Sequence, residues 1–278
     1  MCIRDSISRD LGQVDLVVYS LAAPTRILSD GGIARSVLKP IGSGYDGLTV
    51  DLNTKEIRNI SLESASDGEI KDTIKVMGGE DWELWIEELM KRDLLAQGFI
   101  TTNYTYIGSE VTWPIYNQGT IGRAKEDLER AARAISENSS KKEGAAYLAV
   151  MKGLVTQAAS AIPGMSVYLS LLFKIMKEKN LHEGCIEQAY RLFSEELYSG
   201  AQINLDRSGR IRLDTYELLK EVQDYVSENW SNFSIDTMDQ IADFEGYRKD
   251  FMQIYGFDFD NVDYDKEVSS DSEMTLYP

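Results

Sequence analysis

The chain has 278 residues and a formal net charge of −17, with 43% apolar and 27% charged residues. A chain of this size and balance can bury a large core as one or two domains, and its negative charge argues against nucleic acid or an anionic membrane surface as a partner. Two cysteines imply no disulfide framework and point to a reduced cytoplasm, a single histidine (His182) restricts metal or triad chemistry, and no apolar run reaches the about 18 residues of a membrane span.

Met1-Cys-Ile-Arg-Asp-Ser6 has no apolar signal-peptide core. It matches one reading frame of a common transposase sequencing adapter, so residues 1–6 are expected to be an artefact and the natural sequence to be cut near Ile7. Residues 7–13 read as a helix end stopped by Gly12. Val14-Asp-Leu-Val-Val-Tyr-Ser20 is a continuous apolar run, as expected of a parallel strand buried on both faces. Small residues and Pro24 follow, where ligands of doubly wound folds sit. A tight strand exit would look the same. Residues 25–66 do not fit a crossover helix. Within them Thr49–Leu62 alternates and reads as a hairpin turning at Asn53-Thr54. Gly42-Ser-Gly-Tyr-Asp-Gly47 spells G-x-G-x-x-G, but it opens onto a strand-like stretch rather than a helix and reads as a loop.

Asp67–Thr73 and Asp81–Leu95 read as helices, the second with a core stripe of Trp82, Trp85, Ile86 and Leu89. Gly98 is expected to stop it. A central strand then carries Tyr104 and Tyr106, breaks at Gly108 and turns through Pro114. The next helix places Ile121, Ala124, Leu128, Ala131, Ala132 and Ile135 on one face. A polar break at 138–144 precedes a parallel strand over Ala145–Lys152. Its exit, Gly153–Pro163, is rich in small and hydroxyl residues, and Thr156 fits a helix N-cap. Pro163–Lys179 is a helix too apolar for one face, so it is fully buried or also lines an acyl slot through Met165, Leu169 and their neighbours. An amphipathic helix over 183–198 presents Ile186, Tyr190, Phe193 and Leu197, with His182 structural at its start. Asp206–Arg210 is a turn, Tyr216–Asn229 and Asp236–Phe244 are helices, and Phe257–Asp271 is an acidic aromatic loop before a mobile tail at 269–278.

Tyr116 and Lys125 draw attention as a pair. On one straight helix a separation of nine residues puts side chains about 180° apart. They can cooperate only if Tyr116 sits before the helix and is aimed back over its first turn, a bend that Gly119 and Gly122 allow. A nearby ammonium favours phenolate and makes tyrosine a usable acid. On residue type alone, a surface lysine and a half-buried tyrosine would also satisfy the pattern.

The stretch around this pair resembles the FabV-type enoyl-acyl-carrier-protein reductases and trans-2-enoyl-CoA reductases, one family marked by Tyr-x8-Lys and a second active-site tyrosine ten residues earlier. Tyr116, Lys125 and Tyr106 stand at those positions. Tyr19-Ser-Leu-Ala-Ala-Pro24, Leu38-Lys-Pro-Ile-Gly42, Val76-Met-Gly-Gly-Glu-Asp-Trp82, Leu154-Val-Thr-Gln157, Tyr168-Leu-Ser-Leu-Leu-Phe-Lys174, His182-Glu-Gly-Cys-Ile-Glu-Gln188 and Val262-Asp-Tyr-Asp265 also look like family sequence, in order, from about Asp10 onward. The resemblance implies an α/β Rossmann-like doubly wound parallel sheet, with a hairpin insertion at 25–66 and additional C-terminal helices. It implies NADH-dependent reduction of the double bond of trans-2-enoyl thioesters, on acyl-carrier protein or CoA, in fatty acid biosynthesis. It implies Tyr116 and Lys125 as the catalytic pair, Tyr106 and Thr156 on the substrate side, and Leu21, Ala22, Lys125, Gly153, Leu154 and Val155 against NADH. A monomer in the cytoplasm is the expected state.

A dinucleotide fold also needs a glycine-rich first βα turn and an acidic residue for the ribose. The sequence has no convincing copy, whereas family members begin earlier and carry it there. Residues 7–268 are therefore expected to be the C-terminal part of one NADH-binding domain. Two rivals stay open: an inactive truncated product that at most binds an acyl chain, and a different short-chain-type carbonyl oxidoreductase. The second would use Tyr-x3-Lys, and Tyr104, Tyr106 and Tyr116 have Gly108, Glu110 and Thr120 at that spacing.

Overall fold

The computed structural model describes residues 3–21 and 23–268, residues 3 and 4 by backbone alone; Cys2, Ala22 and the tail at 269–278 lie outside the described residues. Helix α1 (Ile3–Asp10) leads into strand β1 (Val14–Tyr19). Two antiparallel hairpins follow, β2 (Thr25–Ile27) with β3 (Ile33–Arg35) and β4 (Tyr45–Val50) with β5 (Ile57–Leu62). Helices α2 (Asp67–Met77) and α3 (Glu80–Lys91) precede β6 (Leu95–Thr105), α4 (Thr120–Asn138) and β7 (Ala145–Val150). Then come the short α5 (Gln157–Ser160), α6 (Met165–Glu178) and α7 (Cys185–Tyr190), the last continued by a π-helical stretch, Arg191–Leu197. β8 (Arg210–Arg212), α8 (Lys220–Trp230), α9 (Met238–Ile241) and α10 (Phe244–Ile254) follow.

The sheet runs β1-β6-β7-β8, every neighbouring pair parallel. Its central strand, β6, buries Leu95, Phe99, Thr101, Thr102, Asn103 and Thr105. Trp82, Ile86 and Leu89 of α3 and Leu128, Ala131 and Ile135 of α4 pack on one face against Leu95, Phe99, Ala146 and Leu148. Leu192 and Leu197 of the π-helical stretch pack with Ala149, Met151, Ile211 and Leu213 on the other. Helices on both faces of a parallel sheet make this an α/β Rossmann-like fold. A second core surrounds α6, eleven of whose fourteen residues are buried. It takes in Val222 and Val226 of α8, Phe244 and Tyr247 of α10, and Tyr116. At roughly 1.5–3 kcal/mol for each large apolar side chain removed from water, α6 is held by its surroundings rather than by propensity.

Several expectations need correction. β1 is only half-buried, with Val18 40% exposed, because it pairs with β6 on one side and has no partner on the other among the described residues. The helix expected to reach Leu95 stops at Lys91, and Leu94 and Leu95 are already buried beside β1. Gly98 lies inside β6, where its φ of +72° absorbs an irregular register between Val14–Leu95 and Leu16–Ile100. Only the first half of the literal glycine motif is the expected loop: β4 already begins at Tyr45, so Tyr45–Gly47 belong to the strand, and no helix follows. On the 183–198 segment two of the residues expected on the apolar face, Ile186 (78%) and Tyr190 (67%), are exposed, whereas Gln188, Leu192 and Leu197 are buried. The widening to a π-helix at Arg191 breaks the 3.6-residue period on which the expected face rested. α8 begins at Lys220 rather than Tyr216; the helix expected over Asp236–Phe244 is only the short α9, and a separate helix, α10, starts at Phe244, where the expected one was to end.

Candidate active site

The site gathers at the carboxyl ends of β6 and β7. Tyr106 follows β6 directly. Gly108, at φ +73°, turns the chain into a series of tight turns, closed by Tyr116 N–H donating to Thr112 O at 3.0 Å. The same turns return Tyr116 O to accept from Gly122 N–H at 3.1 Å, at the start of α4. A side chain at Gly122 would overlap the Asn117 carbonyl, so this close approach requires glycine. Tyr116 therefore sits before α4 and next to its first turn, as the spacing demanded.

The tyrosines Tyr106 and Tyr116 meet edge to face, ring centroids 5.0 Å apart at 77°. Tyr116 is 5% exposed, and its hydroxyl has no hydrogen-bond partner among the described residues. Burial raises its pKa above the usual phenol value. The expected lowering by Lys125 is not seen, because no charge opposes the desolvation. Lys125 Nζ donates to Tyr104 O at 3.4 Å, and burial pushes its pKa down to about 8. An ammonium has three donors, and this one long bond leaves capacity for a polyhydroxyl ligand.

β7 delivers the other half. Gly153 is buried between two charged groups. Its N–H donates to Glu217 Oε2 at 2.5 Å, and its carbonyl accepts from Lys152 Nζ at 2.7 Å. A Cβ at Gly153 would lie 2.8 Å from Leu169 Cδ2 and 3.6 Å from Tyr106 Oη, so Gly153 adjoins the tyrosine pair. Leu154 and Val155 are half-buried beside it, the latter packed on the α6 core. Thr156 caps α5, its Oγ1 accepting from Ala159 N–H at 3.0 Å. Leu21, just past β1, is 68% exposed and outside the core cluster that holds the tyrosines. His182 packs on Phe173, centroids 4.3 Å apart, and burial pushes its pKa down to about 3, so it is a neutral structural residue. A groove of about 640 Å³ between the β4–β5 turn and Phe233–Ile235 is lined by none of these residues.

Sequence reasoning missed the buried polar set behind Tyr106. Glu217 is fully buried; Tyr106 Oη donates to its Oε1 at 2.8 Å and Tyr168 Oη at 2.5 Å. Lys152 is 2% exposed, lies over the Phe173 ring at 4.8 Å, and has its pKa pushed down to about 8 by burial. The available signal was Lys152 closing an otherwise apolar strand. Glu217 had none, since it falls at the start of the helix expected over Tyr216–Asn229 with nothing to set it apart.

The description "Trans-2-enoyl-CoA reductase catalytic region" matches residues 2–198, and "Enoyl reductase FAD binding domain" matches residues 205–268. An enoyl-[acyl-carrier-protein] reductase [NADH] of Saccharophagus degradans is 49% identical over 273 residues, covering 98% of this chain and 69% of that protein. A trans-2-enoyl-CoA reductase [NADH] of Ruminiclostridium cellulolyticum is 49% identical over 265 residues, covering 95% and 67%. The crystal structure of Clostridium acetobutulicum trans-2-enoyl-CoA reductase in complex with NADH superposes with a TM-score of 0.93 at 45% identity, covering 96% of this chain and 68% of that one. The Treponema denticola enzyme in complex with NAD gives 0.91 at 45% identity, covering 96% and 67%.

The residues present fit the nicotinamide half of such a cofactor: an under-used ammonium at Lys125 and a rigid backbone turn at Gly153, both at carboxyl strand ends. They do not fit a flavin at 205–268. There α8, α9 and α10 turn Val222, Val226, Met238, Phe244 and Tyr247 into the α6 core. The exposed remainder carries Asp258, Asp260, Asp263 and Asp265, which oppose a pyrophosphate.

Proposed function

Because the chain belongs to the family of trans-2-enoyl-CoA and FabV-type enoyl-acyl-carrier-protein reductases, we propose that it carries the catalytic machinery for NADH-dependent reduction of trans-2-enoyl thioesters in fatty acid biosynthesis. NADH, when bound, supplies hydride to the β-carbon of the enoyl group. Negative charge then gathers on the thioester oxygen. Tyr116 donates a hydrogen bond to that oxygen and supplies the proton. Positioned proton transfer is worth about 10²–10⁴-fold, and a donor aimed at developing charge adds a comparable factor. Lys125 holds the nicotinamide ribose and gives Tyr116 a cationic neighbour once ligand fills the space between them. Leu21, Ala22, Gly153, Leu154 and Val155 pack against the cofactor, and Tyr106 and Thr156 hold the substrate side. Met165 and Leu169 of α6 border the acyl slot.

The observation that carries this reading is Tyr116, 5% exposed, its ring edge to face with Tyr106 and its hydroxyl without a hydrogen-bond partner among the described residues. Residues 7–268 supply the C-terminal part, about two thirds, of one NADH-binding domain and carry its catalytic pair. No glycine-rich strand-to-helix turn exists among the described residues to hold the pyrophosphate, so other residues of the complete enzyme hold the adenosine half. The working unit is a monomer in the cytoplasm, and no described helix is long and apolar enough to cross a membrane. The test is NADH oxidation by the complete enzyme with crotonyl-CoA, against its Tyr116→Phe variant. Loss of turnover in the variant supports the reading; undiminished turnover defeats it.

A further inference from the structure

Glu217 is a carboxylate with no exposed surface, and three donors converge on it. Gly153 N–H reaches Oε2 at 2.5 Å; the hydroxyls of Tyr106 and Tyr168 reach Oε1 at 2.8 and 2.5 Å. Gln223 Nε2 donates to Tyr168 Oη at 3.3 Å and to Glu217 O at 2.6 Å, filling the acceptor side of Tyr168 and directing its proton to the carboxylate. The backbone N–H can only donate, so Oε2 must accept. Burial raises the Glu217 pKa above the ordinary carboxylate value, against the pull of its three donors and the Lys152 ammonium. Both carboxylate oxygens are thus engaged, Oε2 by the Gly153 N–H and Oε1 by the two hydroxyls.

A phenol has one proton. Committed to Glu217, the Tyr106 proton is unavailable to any other acceptor. The Tyr116 hydroxyl has no such commitment. We propose that Glu217 is a positioning residue that assigns opposite roles to the two tyrosines: it takes the Tyr106 proton, leaving Tyr106 to meet the substrate only as an acceptor, and so reserves the acid role for Tyr116. The same carboxylate fixes the Gly153 turn, which couples the donor assignment to the placement of the cofactor loop. The inference rests on the reductase reading of Tyr116, yet the network itself can be tested in the 278-residue chain without turnover.

Tyrosine labelled with ¹³C at Cζ reports the state of each hydroxyl. The Tyr106, Tyr116 and Tyr168 lines are identified by their loss in the three Tyr→Phe variants. In an equal mixture of H₂O and D₂O, a hydroxyl whose proton is held in a strong hydrogen bond exchanges slowly and splits its Cζ line. The Tyr106 and Tyr168 lines are expected to split. A single Tyr106 line overturns the proposal, and this measurement needs no change at Glu217. Glu217→Gln supplies the second arm. Its amide oxygen must stay on Gly153 N–H, which turns the NH₂ group toward both hydroxyls and forces Tyr106 to accept. The Tyr106 line then shifts and loses its splitting while the Tyr116 line stays in place. A Tyr106 line unchanged in folded Glu217→Gln protein overturns the proposal too. The acid role of Tyr116 is tested separately by the kinetics of Tyr116→Phe, so failure of the network and failure of the functional reading give different results.

Discussion

Gly153→Ala places one methyl group where the structure has no room for it. The new Cβ would stand 2.8 Å from Leu169 Cδ2 and 3.3 Å from Leu172 Cδ2. The backbone cannot move aside cheaply. Its N–H is held by Glu217 and its carbonyl by Lys152, and a shift large enough to relieve the contact would lengthen two buried charge-assisted bonds. The leucines must give instead, and both are fully buried on α6. Overpacking of this kind costs about 1–3 kcal/mol. Urea denaturation should therefore show Gly153→Ala less stable by that amount with an unchanged m-value. Leu169→Ala alone should cost about 2–5 kcal/mol through the cavity it leaves. In that background the added methyl enters vacated space, so its own cost should fall below about 0.5 kcal/mol, a departure from additivity expected only of residues in contact. Equal costs of Gly153→Ala in both backgrounds would refute the close packing of this turn on α6.

Stability should also depend on pH through Lys125, whose folded pKa of about 8 lies below the unfolded value of 10.5. Between those values the unfolded chain holds a proton that the folded chain has released, so this group's contribution to stability rises as pH increases from 8 towards 10.5. Lys125→Met should flatten that part of the urea-midpoint profile relative to the unaltered chain; a profile unchanged by the substitution would mean that Lys125 keeps its ordinary pKa. The 278-residue chain by itself is expected to show no NADH-dependent reduction of crotonyl-CoA, since its described residues offer no pyrophosphate turn. Turnover above background would show that the residues present suffice.

Much of the site could be read from the sequence because its constraints are local. The strand, the break at Gly108 and the start of α4 are set by residues within one stretch, and Gly122 makes the return of Tyr116 possible. The hairpin of β4 and β5 was legible for the same reason, since alternation depends on neighbours. The half-burial of β1 was not legible: an apolar run announces a strand but does not say whether both its edges are paired. The π-helical stretch at Arg191 defeated a reading based on a 3.6-residue period. Glu217 lay beyond reach because its meaning depends on residues about 50 to 110 positions away in sequence, a distance over which only packing brings groups together. The raised pKa of Tyr116 shows a different limit. Spacing placed the phenol near the start of α4, but the balance between burial and a nearby ammonium is decided by the space between them.

The acid role of Tyr116 is tested most directly by parallel kinetics and NADH titration of three variants in the complete enzyme. Tyr116→Phe removes only a hydroxyl, so kcat should fall by about 10²-fold or more with NADH affinity nearly intact, as when an interaction made in the transition state is lost. Lys125→Ala should weaken NADH binding and turnover together, and Tyr106→Phe should lower turnover less than Tyr116→Phe while leaving NADH affinity unchanged. If Tyr116→Phe keeps near-normal kcat while Tyr106→Phe loses it, the acid is Tyr106 and the account is wrong at its centre.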